Sequence, residues 1–175
     1  MRASIVTATE GVLVTGVYGT GKTSVCEQLA ELLQSAGVAY GAIDLDWLTW
    51  FGIPSLDSAA VRRVELANIA AVVNAYIEAG VQRFVLAGAV RSNVELAAMR
   101  AVVPFPLKAV RLTLSIEEIE RRLAVAVTVG RERDARNAAR WLAEGIGADV
   151  GDLVIANNRP IGEVAEEILD WLGWA

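Results

Sequence analysis

The sequence predicts an α/β fold: a doubly wound, five-stranded parallel sheet with helices on both faces, three layers in all. Three observations predict it. Short apolar runs alternate with helix-period patterns along the chain. A glycine-rich turn joins the first apolar run to an amphipathic stretch. Two Ser-x-x-Glu boxes, Ser92/Glu95 and Ser115/Glu118, each announce a further helix. The 175 residues suit one domain, 1–175, with enough chain to bury a real core.

Each element has its own signal. "GVLVTG" is a buried strand bounded by glycines. The helix after it carries Val25, Leu29, Leu32 and Leu33 at helical spacing and stops at Gly37. "VAYGAIDL" is the second strand. "VRRVELANIAAVVNAYIEAG" is a long helix that stops at Gly80, and "QRFVLAGA" is the third strand. Ser92 caps "VELAAMRAVV", "KAVRLTL" is the fourth strand, and Ser115 caps "IEEIERRLA". "GRERDARNAARWLAEG" is arginine-rich and partly helical. "DLVIANN" is the fifth strand, and Pro160 opens the last helix, "IGEVAEEILDWLGW". "SIVTA" near the amino terminus reads as either an edge strand or a tail.

Composition narrows the function. The net charge of −5 and absence of a basic block argue against nucleic-acid and anionic-membrane partners. The most apolar long stretch, Leu66 to Ile77, is interrupted by Asn68 and Asn74 and is too short to span a bilayer. No leader pattern opens the chain, and the lone Cys26 fits a reducing compartment, so the expectation is a soluble, cytoplasmic protein. With no histidine, acid–base chemistry must rest on carboxylates, lysine, tyrosine or the substrate itself.

"GVYGTGKT", Gly16 to Thr23, matches G-x-x-x-x-G-K-[ST], with a strand before it and an amphipathic helix after it. Gly16, Gly19 and Gly21 let the backbone curl so that successive N–H groups face phosphate oxygens. The helix beginning near Lys22 adds the positive end of its dipole. Lys22 is a point charge for β- and γ-phosphates, and the Thr23 hydroxyl suits Mg²⁺. Ser24 is placed for an α-phosphate, and Tyr18 and Thr20 complete the candidate nucleotide contact. Only two lysines occur among 16 basic residues, and one of them falls on this position.

A P-loop implies a nucleotide, ATP or GTP, but not a reaction. GTPase switches need D-x-x-G and N-K-x-D; "ANNRP" is not the latter. Motor ATPases need a strand ending in acid, whereas "FVLAGAVRS" ends in glycine. The second strand is more informative: "AIDLDWLTWF" puts Asp44 and Asp46 at its carboxyl end, on one side if the strand runs that far. If the first two strands are close neighbours, Asp44 approaches the γ-phosphate, where it would take a proton from an attacking hydroxyl or hold Mg²⁺. The plainer reading is that the pair caps the helix that follows.

At this point the chain resembles the small P-loop metabolite kinases: shikimate kinase, gluconate kinase, adenylylsulfate kinase and chloramphenicol phosphotransferase. "DLDWL" is similar to the D-x-D of shikimate kinase and the V-D of chloramphenicol phosphotransferase. The resemblance implies that Asp44 is base or magnesium partner and that Asp46 holds the acceptor. It also implies a lid over about 125–140, a lid-base arginine at Arg122, and a loop after strand five, with Asn157, Asn158 and Arg159, that cradles the adenine. Within the lid, Arg131, Arg133 or Arg136 would meet phosphate, with Arg133 and Arg136 the catalytic candidates; the plainer reading is a helix surface of Glu–Arg pairs. Nucleoside monophosphate kinases carry D-G-[FY]-P-R after strand three, and "AGAVRS" lacks it. Arg91 either grips an anionic acceptor or is a solvated arginine ahead of a helix. Trp47, Trp50 and Phe51 either wall a ring-bearing acceptor such as an antibiotic or pack a helix on the sheet. The expected activity is Mg²⁺-dependent transfer of the γ-phosphoryl group to a hydroxyl of a small molecule. A monophosphate kinase with an unusual pocket and a non-catalytic nucleotide-binding module are the alternatives.

Overall fold

The computed structural model describes residues 8–125 and 131–174. Five strands, β1 (Glu10–Thr15), β2 (Tyr40–Asp44), β3 (Arg83–Ala87), β4 (Leu107–Thr113) and β5 (Leu153–Ala156), form one sheet in the order β2-β3-β1-β4-β5. Every pairing is parallel. Seven described helices accompany it: α1 (Lys22–Ser35), α2 (Leu45–Leu48), α3 (Ser58–Glu78), α4 (Asn93–Val102), α5 (Ile116–Val125), α6 (Arg131–Glu144) and α7 (Ile161–Leu172). The doubly wound α/β fold expected from the sequence is the fold observed. "SIVTA" up to residue 7 and the lid stretch 126–130 lie outside the described residues.

Strand alternation divides the core. Val12, Val14, Val85, Val110 and Ile155 face α1 and α7, meeting Val25, Leu29, Val164 and Ile168. Leu13, Phe84, Leu86, Leu107 and Ala109 face the other way, onto Ile69 and Val73 of α3 and Leu96 and Met99 of α4. Full burial of such a side chain contributes about 1.5–3 kcal/mol. Because both faces are covered, the strands are apolar runs rather than alternating ones. A third, small cluster, Ile119, Leu123 and Ala138, seats α5 and α6 against Val17 and Tyr18. The arginine-rich segment therefore rests directly on the glycine-rich loop.

Caps behave as the sequence indicates. Ser92 Oγ accepts from Glu95 N–H and Ser115 Oγ from Glu118 N–H, each at 3.3 Å. The reciprocal arm differs: the Glu95 carboxylate accepts from Arg91 N–H at 2.8 Å, one residue outside the usual box. The long helix begins earlier than expected, at Ser58, because Asp57 caps it by accepting from Ala60 N–H at 2.7 Å.

Cys26 is buried, its thiol against Val85 O at 3.6 Å, and burial pushes its pKa up to about 12. A thiol held neutral and enclosed is a poor nucleophile. The native protein should therefore resist a maleimide or disulfide reagent at neutral pH and react only on unfolding. Rapid labelling of Cys26 in the native state, read by mass spectrometry, would contradict this packing.

Candidate functional site

The site is assembled at the carboxyl ends of β1, β2 and β3. Gly16, Gly19 and Gly21 adopt φ of 143°, 82° and 91°, which closes the loop between β1 and α1. At Gly16 a Cβ would stand 2.6 Å from the backbone Leu112 O, and at Gly21 it would stand 2.6 Å from Asn157 Nδ2 and 3.5 Å from an Arg122 amine. Positive φ strains any other residue there, and the clash would displace the fully buried Asn157. On the reading that this loop binds a magnesium–nucleotide, Gly21→Ala should weaken that binding at least tenfold by calorimetry, through loss of the loop's shape; unchanged affinity would mean that this curl is not what meets the nucleotide.

The loop is braced from within. Thr20 is fully buried, its hydroxyl donating to Val17 O at 2.8 Å, so its side chain shapes the loop rather than facing a ligand. Lys22 arches over the loop, Nζ donating to Val17 O at 3.1 Å and standing 5.5 Å from the Tyr18 ring centroid. Desolvation lowers the Lys22 pKa, while Asp46, Asp44 and Asp134 act against that shift. Ser24 is exposed on the first turn of α1.

β2 and β1 are not neighbours; β3 lies between them. Asp44 nonetheless reaches the loop, because Asp44 and Val14 both stand level with Ala87 at the sheet's top. Thr23 Oγ1 donates to Asp44 Oδ2 at 2.8 Å. The expectation that strand alternation aligns Asp44 with Asp46 is corrected: β2 ends at Asp44 and α2 begins at Leu45. Asp44 Oδ1 accepts from Asp46 N–H at 3.0 Å, so Asp44 caps α2 with one oxygen and meets Thr23 with the other. The capping reading is observed, and the second oxygen stands against the loop. Asn68 of α3 anchors the far end of α2, donating to Leu48 O at 2.7 Å. This polar break in an apolar helix serves to hold the acidic turn in place.

Asp46 makes no side-chain hydrogen bond or ion pair among the described residues. Partial desolvation first, and the Asp44 charge second, raise its pKa, and Lys22 works in the opposite direction. Tyr18 lies in the same field. Burial, then Asp46 and Asp134, raise its pKa, while Arg133 and Arg91 oppose. Its ring meets Trp141 edge-on, centroids 5.8 Å apart. Trp141 and Asp134, both on α6, were not singled out in sequence. Their only signal was helical spacing from Ala138 on the face that packs on the loop.

The remaining candidates sort by position. Arg122 donates from Nε to Glu118 at 2.9 Å and from a terminal amine to Asn157 O at 2.8 Å, beside Gly21. Arg121 and Arg122 together hold the Glu118 carboxyl down to about 2. Asn157 is fully buried and donates to Thr20 O at 2.7 Å, so it braces the loop and presents no face to a base. Its Oδ1 has no partner among the described residues. Arg159 turns away, paired with Glu167 of α7. Arg136 is 72% exposed and only loosely paired with Glu132 at 3.8 Å, whereas the Arg133 charge reaches Tyr18. Arg91 is bound to Glu95 through two guanidinium nitrogens as well as its backbone N–H. Trp47 and Trp50, 66% and 77% exposed, lie together with centroids 4.8 Å apart, which corrects the reading that they pack a helix on the sheet.

Among the described residues no group of three or more His, Cys, Asp or Glu could hold a metal alone. The Thr23 hydroxyl and Asp44 carboxylate, hard oxygen donors 2.8 Å apart, do fit Mg²⁺, an ion that usually takes one or two protein ligands and completes its shell with phosphate and water. No helix among the described residues is long and apolar enough to cross a membrane.

No family model matches the chain, and no curated protein sequence matches it. Solved structures do. A sugar kinase from Janibacter sp., crystallised unliganded, is 21% identical, aligned over 95% of this chain and 96% of its own, with a TM-score of 0.71. The adenylylsulfate kinase of Mycobacterium tuberculosis, solved with AMPPNP and adenylylsulfate, is 23% identical over 95% and 98%, TM-score 0.62. The tunicamycin resistance protein of Deinococcus radiodurans is 16% identical over 95% and 97%, TM-score 0.63.

Proposed function

Because the chain has the fold of the small-molecule P-loop kinases, we propose that it is a phosphotransferase, moving the γ-phosphoryl group of ATP or GTP to a hydroxyl of a small molecule. The observation that carries this reading is the contact of Thr23 with Asp44, with the unpaired Asp46 side chain two residues on and within the field of Lys22. A nucleotide-binding module needs the loop alone; it has no need of an acidic turn anchored by Asn68 against it.

The loop amides and Lys22 hold the β- and γ-phosphates. Thr23 and Asp44 would hold Mg²⁺, which when bound offsets charge on those oxygens. Asp44, with both oxygens engaged, suits that task better than proton abstraction. Asp46 then orients the acceptor hydroxyl and takes its proton. The new acceptor O–P bond forms as the bond to the β-bridging oxygen breaks, and that oxygen leaves with the electron pair on the nucleoside diphosphate. Arg133, on the lid helix, is the arginine assigned to the transferring group. Trp47 and Trp50 offer an exposed aromatic surface next to Asp46 in the chain, which suits an acceptor with a ring, an antibiotic among the candidates.

The test is transfer of labelled γ-phosphate from ATP and from GTP, with Mg²⁺, to a panel of hydroxylated ring compounds, sugars and nucleoside monophosphates. Phosphorylation of a ring-bearing alcohol is expected. Tight nucleotide binding with no acceptor phosphorylated above background would return the chain to a binding module.

A further inference from the structure

Behind the Tyr18–Trp141 pair lies a cavity of about 70 Å³ that no step above uses. It touches Gly16 at the foot of the phosphate loop. Its walls are apolar, with Val17, Val90, Trp141 and Ile146 among them, and Arg111 enters it from β4. Along β4, Leu107 and Ala109 point into the α3/α4 core. Arg111 continues that face to the strand's carboxyl end, where Gly147 and its neighbours replace the helices as cover. Ligands of such sheets gather at this end.

Arg111 differs from the other half-buried arginines. Arg62 is paired with Glu65, Arg122 with Glu118, and Arg83 donates to two carbonyls. The Arg62 Nε is buried without a partner as well, but the Arg111 guanidinium as a whole makes no hydrogen bond or ion pair among the described residues, and its Nε is completely buried. The one hydroxyl nearby on β4, Thr113, is committed to Ile155 O at 3.3 Å. A guanidinium cannot shed its charge, so the buried Nε–H needs an acceptor. Its planar fork matches a carboxylate or a tetrahedral oxyanion, and mostly apolar walls strengthen the attraction.

We propose that this cavity is an anion subsite in which Arg111 receives a carboxylate or oxyanion group of the acceptor molecule; the identity of that molecule as an acceptor rests on the phosphotransferase reading. The acceptor would then carry two features, a hydroxyl for Asp46 and an anionic group for Arg111.

The test begins with protein whose phosphate loop is filled by Mg–AMPPNP, titrated calorimetrically with sulfate and with acetate. One saturable anion site is expected in the wild type. Arg111→Leu should weaken it at least tenfold with AMPPNP affinity unchanged, which also reports that the variant is folded. Ala148→Asp, at an exposed position on the cavity wall, keeps the arginine but supplies an internal counter-ion and should have the same effect. With hydroxy acids and their amides as acceptors, Arg111→Leu should raise KM at least tenfold for the acids only. Absence of saturable binding, or binding indifferent to both variants, overturns the subsite. Arg111-dependent anion binding without any phosphoryl transfer would instead sink the phosphotransferase reading and leave the anion site standing.

Discussion

Asp46→Asn is expected to lower turnover about 10²- to 10⁴-fold, the usual worth of a positioned general base. Affinity for the Mg–nucleotide should stay within a few-fold, because Asp46 is assigned to the acceptor and Asp44 to the metal. The amide keeps the shape of the α2 turn, whose cap is the Asp44 carboxylate and the backbone N–H of residue 46, not its side chain. The pH profile gives a second reading. Desolvation and Asp44 raise the Asp46 pKa, so the active, ionised form exists only above that raised value. Activity should therefore fall with acid at a higher pH than an unperturbed aspartate, about 3.9, would give. An acid limb unmoved in Asp46→Asn, or equal losses of turnover and nucleotide affinity, would remove Asp46 from this role.

Lys22→Ala should cost about 10²- to 10³-fold in kcat, the scale seen when a preorganised charge-stabilising donor is removed. Nucleotide affinity should also fall, by about tenfold to a hundredfold, from the loss of a charge-assisted contact worth about 1.5–3 kcal/mol. The fold should persist, since the one hydrogen bond Nζ makes, to Val17 O, is within its own loop. The lowered Lys22 pKa reflects a desolvated ammonium whose charge is kept by Asp46, Asp44 and Asp134. Lys22→Arg should not rescue, because the bulkier fork must fit beside Tyr18 at 5.5 Å. A Lys22→Ala protein with wild-type turnover would show that the phosphates lie elsewhere.

What the chain's own letters revealed was local. Glycines at 16, 19 and 21 with Lys22 and Thr23 specified the loop; Ser92 and Ser115 specified their helix starts. Gly37 and Gly80, with φ of 70° and 99°, ended α1 and α3 where periodicity stopped. Asp44 and Asp46 were visible as a pair, but that Asp44 alone caps α2 and meets Thr23 was not. That follows from where β2 ends, which alternation of apolar residues does not fix to the residue. The aromatic pair illustrates the same limit from the other side. Trp47 and Trp50 have a spacing compatible with core or surface, and only the course of the chain after α2 leaves them exposed.

Asn157, Arg122 and Arg111 were decided by tertiary structure alone. Asn157 reaches Thr20 across 137 positions of sequence, a contact created by β5 closing the sheet's edge beside β4. Arg122 was placed by analogy, but its grip on the Asn157 carbonyl depends on α5 lying along the loop. Arg111 looked like any arginine in a strand until its neighbours were known. The division has a physical cause. Backbone curl, caps and helix periodicity arise among residues a few positions apart, so sequence order contains them. Strand order, and with it the meeting of Thr23 with Asp44 or the solitude of Arg111, is settled by burying both faces of the sheet at once, a condition on the whole chain that no short stretch of it states.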